Sequence, residues 1–417
     1  MVTLIKNIKK LVQVENQIKL KVSGKEMSEI ETIDNAYLIL SDNLIHDFGE
    51  MKDFDFSQLS NTSEKIMEID ASGKMVFPSF VDSHTHLVYA GSREIEYIDK
   101  IKGLSYEEIA KRGGGILNSA KLLHKTSEDE LYEQSLKRIN EIIKQGTGAV
   151  EIKSGYGLNV ENELKMLRVI KRLKETCPLQ IKSTLLAAHA VPMEYKNNQT
   201  NYVDYVINEM IPMVAAEDLA DFIDVFCDKG FFTVFDTERI LMAGIKYGLK
   251  AKIHANELSN SGGLQVGVKY GALSVDHLEY IGQDEITALL NSETMPTILP
   301  GAAFFLGLKY SPARQMIDSG LPIAIASDFN PGSSPSGNMK FMQSLGCINY
   351  KLLPEEVINA TTINTAYAMQ MSEEVGSIAK GKIANVFITK EMPTFEFFPY
   401  SYGSDLIDMV ILNGQII

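Results

Sequence analysis

A closed parallel (β/α)8 barrel set between two strand-rich chain ends is the fold this sequence predicts. Three observations carry that expectation. Through the middle of the chain, eight short apolar segments alternate with stretches of helical periodicity. The two ends read instead as short strands broken by Asp, Asn and Gly. No G-x-G-x-x-G follows an early strand, which counts against an open, doubly wound, dinucleotide-binding sheet.

Taken in order, "NAYLILSDNLIHDFGE" and "EKIMEIDASGKMVFPSF" supply the first strands, rich in β-branched and aromatic residues. The eight barrel candidates are "MVFPSFVDSHTH", "GAVEIKSGYG", "IKSTLLAAHAV", "FIDVFCDKG", "LKAKIHANE", "ALSVDHLEY", "TMPTILPG" and "PIAIASDFNPG". Between them, "SEDE" at Ser127 to Glu130 is a capping box. Tyr132, Leu136, Ile139 and Ile143 follow it at helical spacing, and Gly146 is placed to stop the helix. A second helix starts after Asn159, with Leu164, Leu167, Ile170 and Leu173 on one face and Pro178 beyond its end. "GSIAKGKIANVFIT" and "SDLIDMVILNGQII" return to strand at the C-terminus.

Composition bounds the function. The 417 residues are 45% apolar and 23% charged, enough for a large core. The net charge of −14, with no basic tract, makes nucleic acid and anionic membrane poor partners; it is otherwise a statement about solubility and does not name a substrate. Cys177, Cys227 and Cys347 share no ligand spacing, and an odd count argues against a disulfide framework. The N-terminus has no signal-peptide pattern, and no apolar run approaches the roughly 20 residues of a membrane span. A reducing cytoplasm is the expected compartment.

Each strand candidate but one ends in polar residues, and the C-terminal ends of barrel strands are where active sites form. Nearly every histidine of the middle region falls at such an end. His84 and His86 stand two apart, so on a strand both imidazoles face one side. With His254 and Asp328 at other strand ends, three imidazoles and a carboxylate suit one zinc or iron ion, with a water completing its shell and serving as nucleophile. By position alone, a pair of partly exposed histidines and a helix cap at Asp328 fit as well.

"FPSFVDSHTHL", "HANELSNSGG", "DHLEY" and "SDFNPGSSP" resemble the amidohydrolase superfamily. The H-x-H strand specifies only metal-dependent hydrolysis. "AGSRE", "RGGGI", "KSGYGL", "AHAVP" and "NPGSSP" resemble, more narrowly, the imidazolonepropionases, from about residue 65 to the end. Ser79 and Ala188 stand where glycine is common in such chains. The resemblance implies a metal-bearing barrel over residues 77–372 and a small β-sandwich built from residues 1–76 and 373–417. It implies hydrolysis of a cyclic amide, opening 4-imidazolone-5-propanoate to N-formimidoyl-L-glutamate in histidine degradation, and a homodimer.

Residue by residue, the resemblance makes His84, His86, His254 and Asp328 the metal ligands, with Asp328 also holding the nucleophilic water and shuttling its proton. It makes Glu257 a proton carrier at the substrate ring nitrogen; a solvated loop carboxylate is the alternative by position. It sets His277 to polarise the scissile carbonyl or orient the water; a buried histidine satisfied by Asp276 fits the position equally. Arg93 would fork onto the substrate propionate, although its position alone favours a surface arginine. Tyr156 and His189 would be further substrate contacts, with core packing open for Tyr156. Asn330, Gly332 and Ser333 would hold the ring and product, or Gly332 simply makes a Pro-Gly turn. Gly113 to Gly115 lacks a P-loop lysine and reads as a mobile loop near the site. His46 and His124 read as surface. Lys229 would be a carboxylated bridging lysine only in a two-metal site, and the resemblance points to one ion. A heterocycle deaminase sharing these ligands is the runner-up. A non-catalytic assembly protein should have lost ligands, and none is missing.

Overall fold

The computed structural model describes residues 2–55, 66–104 and 114–417; Gly113 of the glycine run lies outside them. The chain opens with strands β1 (Val2–Val12), β2 (Thr32–Ser41), β3 (Leu44–Glu50), β4 (Ile66–Asp70) and β5 (Met75–Pro78). Barrel strands follow: β6 (Phe80–Thr85), β7 (Thr147–Lys153), β8 (Gln180–Ala188), β9 (Phe222–Cys227), β10 (Lys250–Ala251), β11 (Ile253–Ala255), β12 (Ser274–His277), β13 (Met295–Ile298) and β14 (Ala324–Ile325). The chain closes with β15 (Val386–Thr389), β16 (Ile407–Leu412) and β17 (Gln415–Ile416).

The two ends meet in one mixed sheet of order β17-β16-β15-β5-β1-β2-β3, with β4 beside β1. The joint is the antiparallel pairing of β15 with β5, Val386 opposite Pro78 and Ile388 opposite Val76. Ile5, Leu11, Leu38, Val76, Val386 and Ile411 fill a core belonging to this sheet alone.

The barrel strands pair in parallel in chain order from β6 to β14, with β10 and β11 acting as one interrupted stave. Closure comes from the continuation of β14. Phe329 bridges Thr85, the Asp328 N–H donates to the His84 carbonyl (3.0 Å), and the His86 N–H donates to the Phe329 carbonyl (2.9 Å). Asp328 is thereby placed next to the H-x-H strand by the last step of barrel closure.

Three described helices matter below: α1 (Glu94–Ile101), α2 (Glu128–Lys144) and α3 (Val160–Thr176). α2 begins at the expected capping box, with the Glu130 N–H donating to Ser127 Oγ and Ser127 N–H to the Glu130 carboxylate. α3 begins after Asn159, whose Oδ1 accepts from the Asn162 N–H. Their apolar faces, including Ile139, Ile143, Leu167 and Ile170, pack into the core around the barrel.

One strand expectation is corrected. "MVFPSFVDSHTH" is two strands in two sheets, β5 at the chain-end sheet and β6 in the barrel. Pro78 has no N–H to extend the ladder, and the next two N–H groups diverge. Ser79 donates to Asn385 and Phe80 to Gly146. Gly148 explains how a serine fits at position 79, since a Cβ there would lie 2.0 Å from Ser79 Oγ.

Candidate active site

His84 and His86 lie on and just past β6, as the two-residue period requires, and both are buried. His254, on β11, brings a third imidazole. The Nε2 atoms of His84 and His86 stand 3.3 Å apart, and those of His86 and His254 3.4 Å. Asp328 Oδ1 lies 3.6 Å from His84 Nε2 and 3.5 Å from His86 Nε2. Its other oxygen accepts from Ser333 Oγ at 3.0 Å.

The rear ring nitrogens of His84 and His254 face carboxylates. His84 Nδ1 hydrogen-bonds Asp276 Oδ2 at 2.7 Å, and His254 Nδ1 lies 2.9 Å from Asp224 Oδ2. Such partners hold the proton on Nδ1 and leave lone pairs on Nε2. Burial first, then the nearby Lys153 charge for His84 and His189 for His86, holds both imidazoles well below the usual histidine range, so they are neutral. Imidazole nitrogens aiming lone pairs at one point repel one another unless a cation lies between them. The donor set, three nitrogens with a carboxylate oxygen alongside, fits a transition-metal ion.

His277 lines the cavity, and Asp276, the alternative partner offered to it by position, serves His84 instead. Side chains alternate along a strand, so neighbours 276 and 277 cannot face the same way. His277 sits instead between two carboxylates, Glu257 Oε2 at 3.6 Å from Nε2 and Glu279 Oε2 at 3.8 Å from Nδ1. Burial lowers its pKa, but Glu257, Glu279 and Asp328 outweigh burial and push it up to about 10. Burial raises Glu257 against the pull of His277, to about 7. Strand-end backbone holds this geometry. Asn256, His277, Leu278 and Asp328 all have positive φ, which Asn and Asp tolerate but which Leu278 in particular adopts only when its surroundings enforce it. Asn256 supplies part of that enforcement, since its Nδ2 donates to the Tyr280 carbonyl while its own carbonyl accepts from the Tyr280 N–H, both at 2.8 Å.

A cavity of about 690 Å³ opens above the histidines. Tyr156 and His189 line it, the His189 ring stacked on His86 with centroids 5.1 Å apart. At the far wall stands Arg93, just ahead of α1. It is mostly buried rather than on the surface. Glu96, which the sequence reading passed over, takes Arg93 Nε at 2.9 Å and also accepts from the Gly115 N–H. A Cβ at Gly332 would fall 2.0 Å from Arg93 Nη1, so the loop approaches the guanidinium as only glycine permits. Asn330 Oδ1 accepts from the N–H groups of Gly332 and Ser333 and shapes that loop. All the residues singled out as substrate contacts therefore line one cavity, with His86, His254, His277 and Asp328. His84 lies beneath it.

Lys229 is exposed, and His46 and His124 sit away from the cavity. Two fully buried lysines on the barrel staves, Lys153 and Lys252, were missed by sequence reasoning along with Asp224 and Glu279. A hint was available for Lys153: on β7 it lies two residues from Glu151, so both point into the same interior.

A profile described as "Amidohydrolase family" matches residues 75–417. The chain belongs to the amidohydrolase family. Within it, a protein named imidazolonepropionase from Flavobacterium johnsoniae is 55% identical over 100% of both chains. One of the same name from Christiangramia forsetii is 56% identical, again over 100% of both. Among solved structures, an E. coli guanine deaminase covers 100% of this chain and 99% of its own at a TM-score of 0.75, with 12% identity, a likeness of fold. No helix among the described residues is long and apolar enough to cross a membrane.

Proposed function

We propose that this amidohydrolase opens the ring of 4-imidazolone-5-propanoate to N-formimidoyl-L-glutamate, in histidine degradation, as its imidazolonepropionase relatives are named for doing. The observation that carries the reading is a cavity with a histidine cluster at its floor and a glycine-flanked arginine at its wall. An arginine and a histidine cluster in one cavity suit a ring with a carboxylate tail. His84, His86, His254 and Asp328 would hold one zinc or iron ion per subunit. Such an ion supplies Lewis acidity, which polarises a carbonyl and makes water nucleophilic at neutral pH.

The chain's own residues do the rest. Arg93 forks onto the propionate and fixes the ring's distance from the histidines. Tyr156, His189 and the Asn330–Gly332–Ser333 loop bracket the ring. Asp328 Oδ1 takes a proton from the attacking water while Ser333 keeps the carboxylate from turning. His277, held cationic by its two carboxylates, donates toward the carbonyl oxygen as negative charge develops there. The water oxygen bonds to the ring carbonyl carbon and the carbon–nitrogen bond breaks. The proton on Asp328 goes to the departing nitrogen, with Glu257, poised near neutrality, exchanging a proton at the ring nitrogen. We expect a homodimer in a reducing cytoplasm.

The direct test is to supply 4-imidazolone-5-propanoate to the metal-loaded protein and follow loss of its ultraviolet absorbance. Turnover with release of N-formimidoyl-L-glutamate is expected. No turnover of this substrate, with ammonia released instead from an amino-substituted heterocycle, would favour a deaminase.

Two substitutions test the carboxylate end. Arg93→Lys keeps the charge but loses the planar fork, and kcat/KM should fall by about 10-fold or more, equivalent to about 1.4 kcal/mol. Wild-type kinetics would mean that the propionate is held elsewhere. Gly332→Ala forces the guanidinium aside and should raise KM by about 10-fold with a smaller effect on kcat, as loss of uniform binding predicts. An unchanged KM would remove the Gly332–Arg93 approach from substrate binding.

A further inference from the structure

Beneath the histidine cluster the barrel is filled with charge. Glu151 and Lys153 on β7, Asp224 on β9, Lys252 between β10 and β11, and Asp276 on β12 are all essentially inaccessible to solvent. Isolated charges at such depth are costly, so their pairing pattern is informative. Lys153 Nζ lies 2.5 Å from Glu151 Oε1, 2.8 Å from Asp224 Oδ2 and 3.8 Å from Asp276 Oδ2. Those two aspartate oxygens are the same ones that face His254 Nδ1 and His84 Nδ1. One ammonium thus stands behind both carboxylates that stand behind two of the three histidines.

Lys252 is just as buried but differently connected. It meets the other oxygen of Glu151 and donates to the carbonyls of Ser83 (3.0 Å) and Ala368 (3.3 Å). Its contacts are with Glu151 and backbone, not with the carboxylates behind the histidines. The two lysines lie at the same depth, but Lys153 is the one in direct contact with the carboxylates that face the imidazoles, at 2.8 and 3.8 Å, while Lys252 acts on Asp276 through space.

We infer that Lys153 is a positioning residue for the metal site, a single cation that sets the ring orientations of His84 and His254 together through Asp276 and Asp224. Lys153 hydrogen-bonds Asp224 and attracts Asp276 from 3.8 Å, which restrains both carboxylates and so the imidazoles facing them, with Nε2 directed at the shared point. Coupling both histidines to one ammonium also makes their orientations interdependent, which two separate hydrogen bonds would not. The inference rests on reading the histidines as metal ligands.

The test compares Lys153→Met and Lys252→Met with the wild-type protein, each stripped of metal. Zinc affinity is measured by competition with a chromophoric chelator, coordination geometry by the visible spectrum of the cobalt(II)-substituted protein, and stability by melting of the metal-free form. Both substitutions should lower the melting temperature, because each unbalances buried charge. Zinc affinity should fall about 10- to 100-fold in Lys153→Met, the usual scale for loss of an outer partner, and by less than about 3-fold in Lys252→Met. The cobalt spectrum should change in Lys153→Met alone. Equal affinity losses in the two variants, or none in Lys153→Met, would reduce Lys153 to a structural ion pair and overturn the inference. Should Lys153→Met not fold, Lys153→Gln, which keeps donors on a shorter stem, is held to the same comparison. Absence of zinc binding by the wild-type protein would overturn the ligand reading, and this inference with it.

Discussion

His84→Ala combined with His86→Ala is expected to strip the protein of bound metal and reduce turnover to background, while the fold stays cooperative. Both side chains project from the end of β6 into the site, and the barrel core is built from other residues such as Val150, Ile152 and Val225. Removing two of three nitrogen donors leaves His254 with the Asp328 carboxylate, too few for a tightly held ion. The loss of two buried polar rings also leaves Asp276 without its imidazole, so a modest fall in stability, on the order of 1–3 kcal/mol, accompanies the effect. Elemental analysis of the purified double variant decides the matter. Stoichiometric metal in that variant would sink the ligand assignment.

Glu257→Gln carries the second large effect. Glutamine keeps the size and most of the hydrogen-bonding reach but cannot take up a proton at neutral pH. The carboxyl of Glu257 is raised to about 7 by burial, so near neutral pH it exchanges protons in both directions at little cost. Turnover, kcat, should fall by about 100-fold or more, with metal content unchanged because His254 still ligates. A smaller loss confined to KM would mean that Glu257 orients the ring without moving protons. A kcat within a factor of about three of wild type would leave the proton chemistry to Asp328 and His277.

The sequence carried these two predictions some distance unaided. Periodicity separated eight apolar segments from the helices between them, because a buried strand and an amphipathic helix impose different repeats on the chain. The polar ends of those segments named His84, His86, His254 and Asp328, since barrel strands share one direction and present their C-terminal ends together. The capping boxes at Ser127 and the cap at Asn159 were readable for the same reason, each being a contact between residues three apart.

What the sequence did not disclose involves partners far apart along the chain. His84 and Asp276 are 192 positions apart, and Lys252 and Glu151 are 101. Position alone offered Asp276 to its neighbour His277. Strand alternation sends the two side chains to opposite sides, and the parallel register brings Asp276 under His84 instead. Position alone favours a surface arginine at 93, whereas Glu96 and Gly332 enclose its guanidinium.

By itself, then, the sequence determined the repeat of strands and helices, the kinds of side chain at the strand ends, and the motifs shared with amidohydrolases. Local spacing and side-chain chemistry are sufficient for those. The tertiary structure alone decided which carboxylate stands behind which histidine, which lysine stands behind both carboxylates, and that the arginine is buried. Those pairings are set by the register and closure of the barrel, a property of all eight staves at once that no single segment of the chain contains.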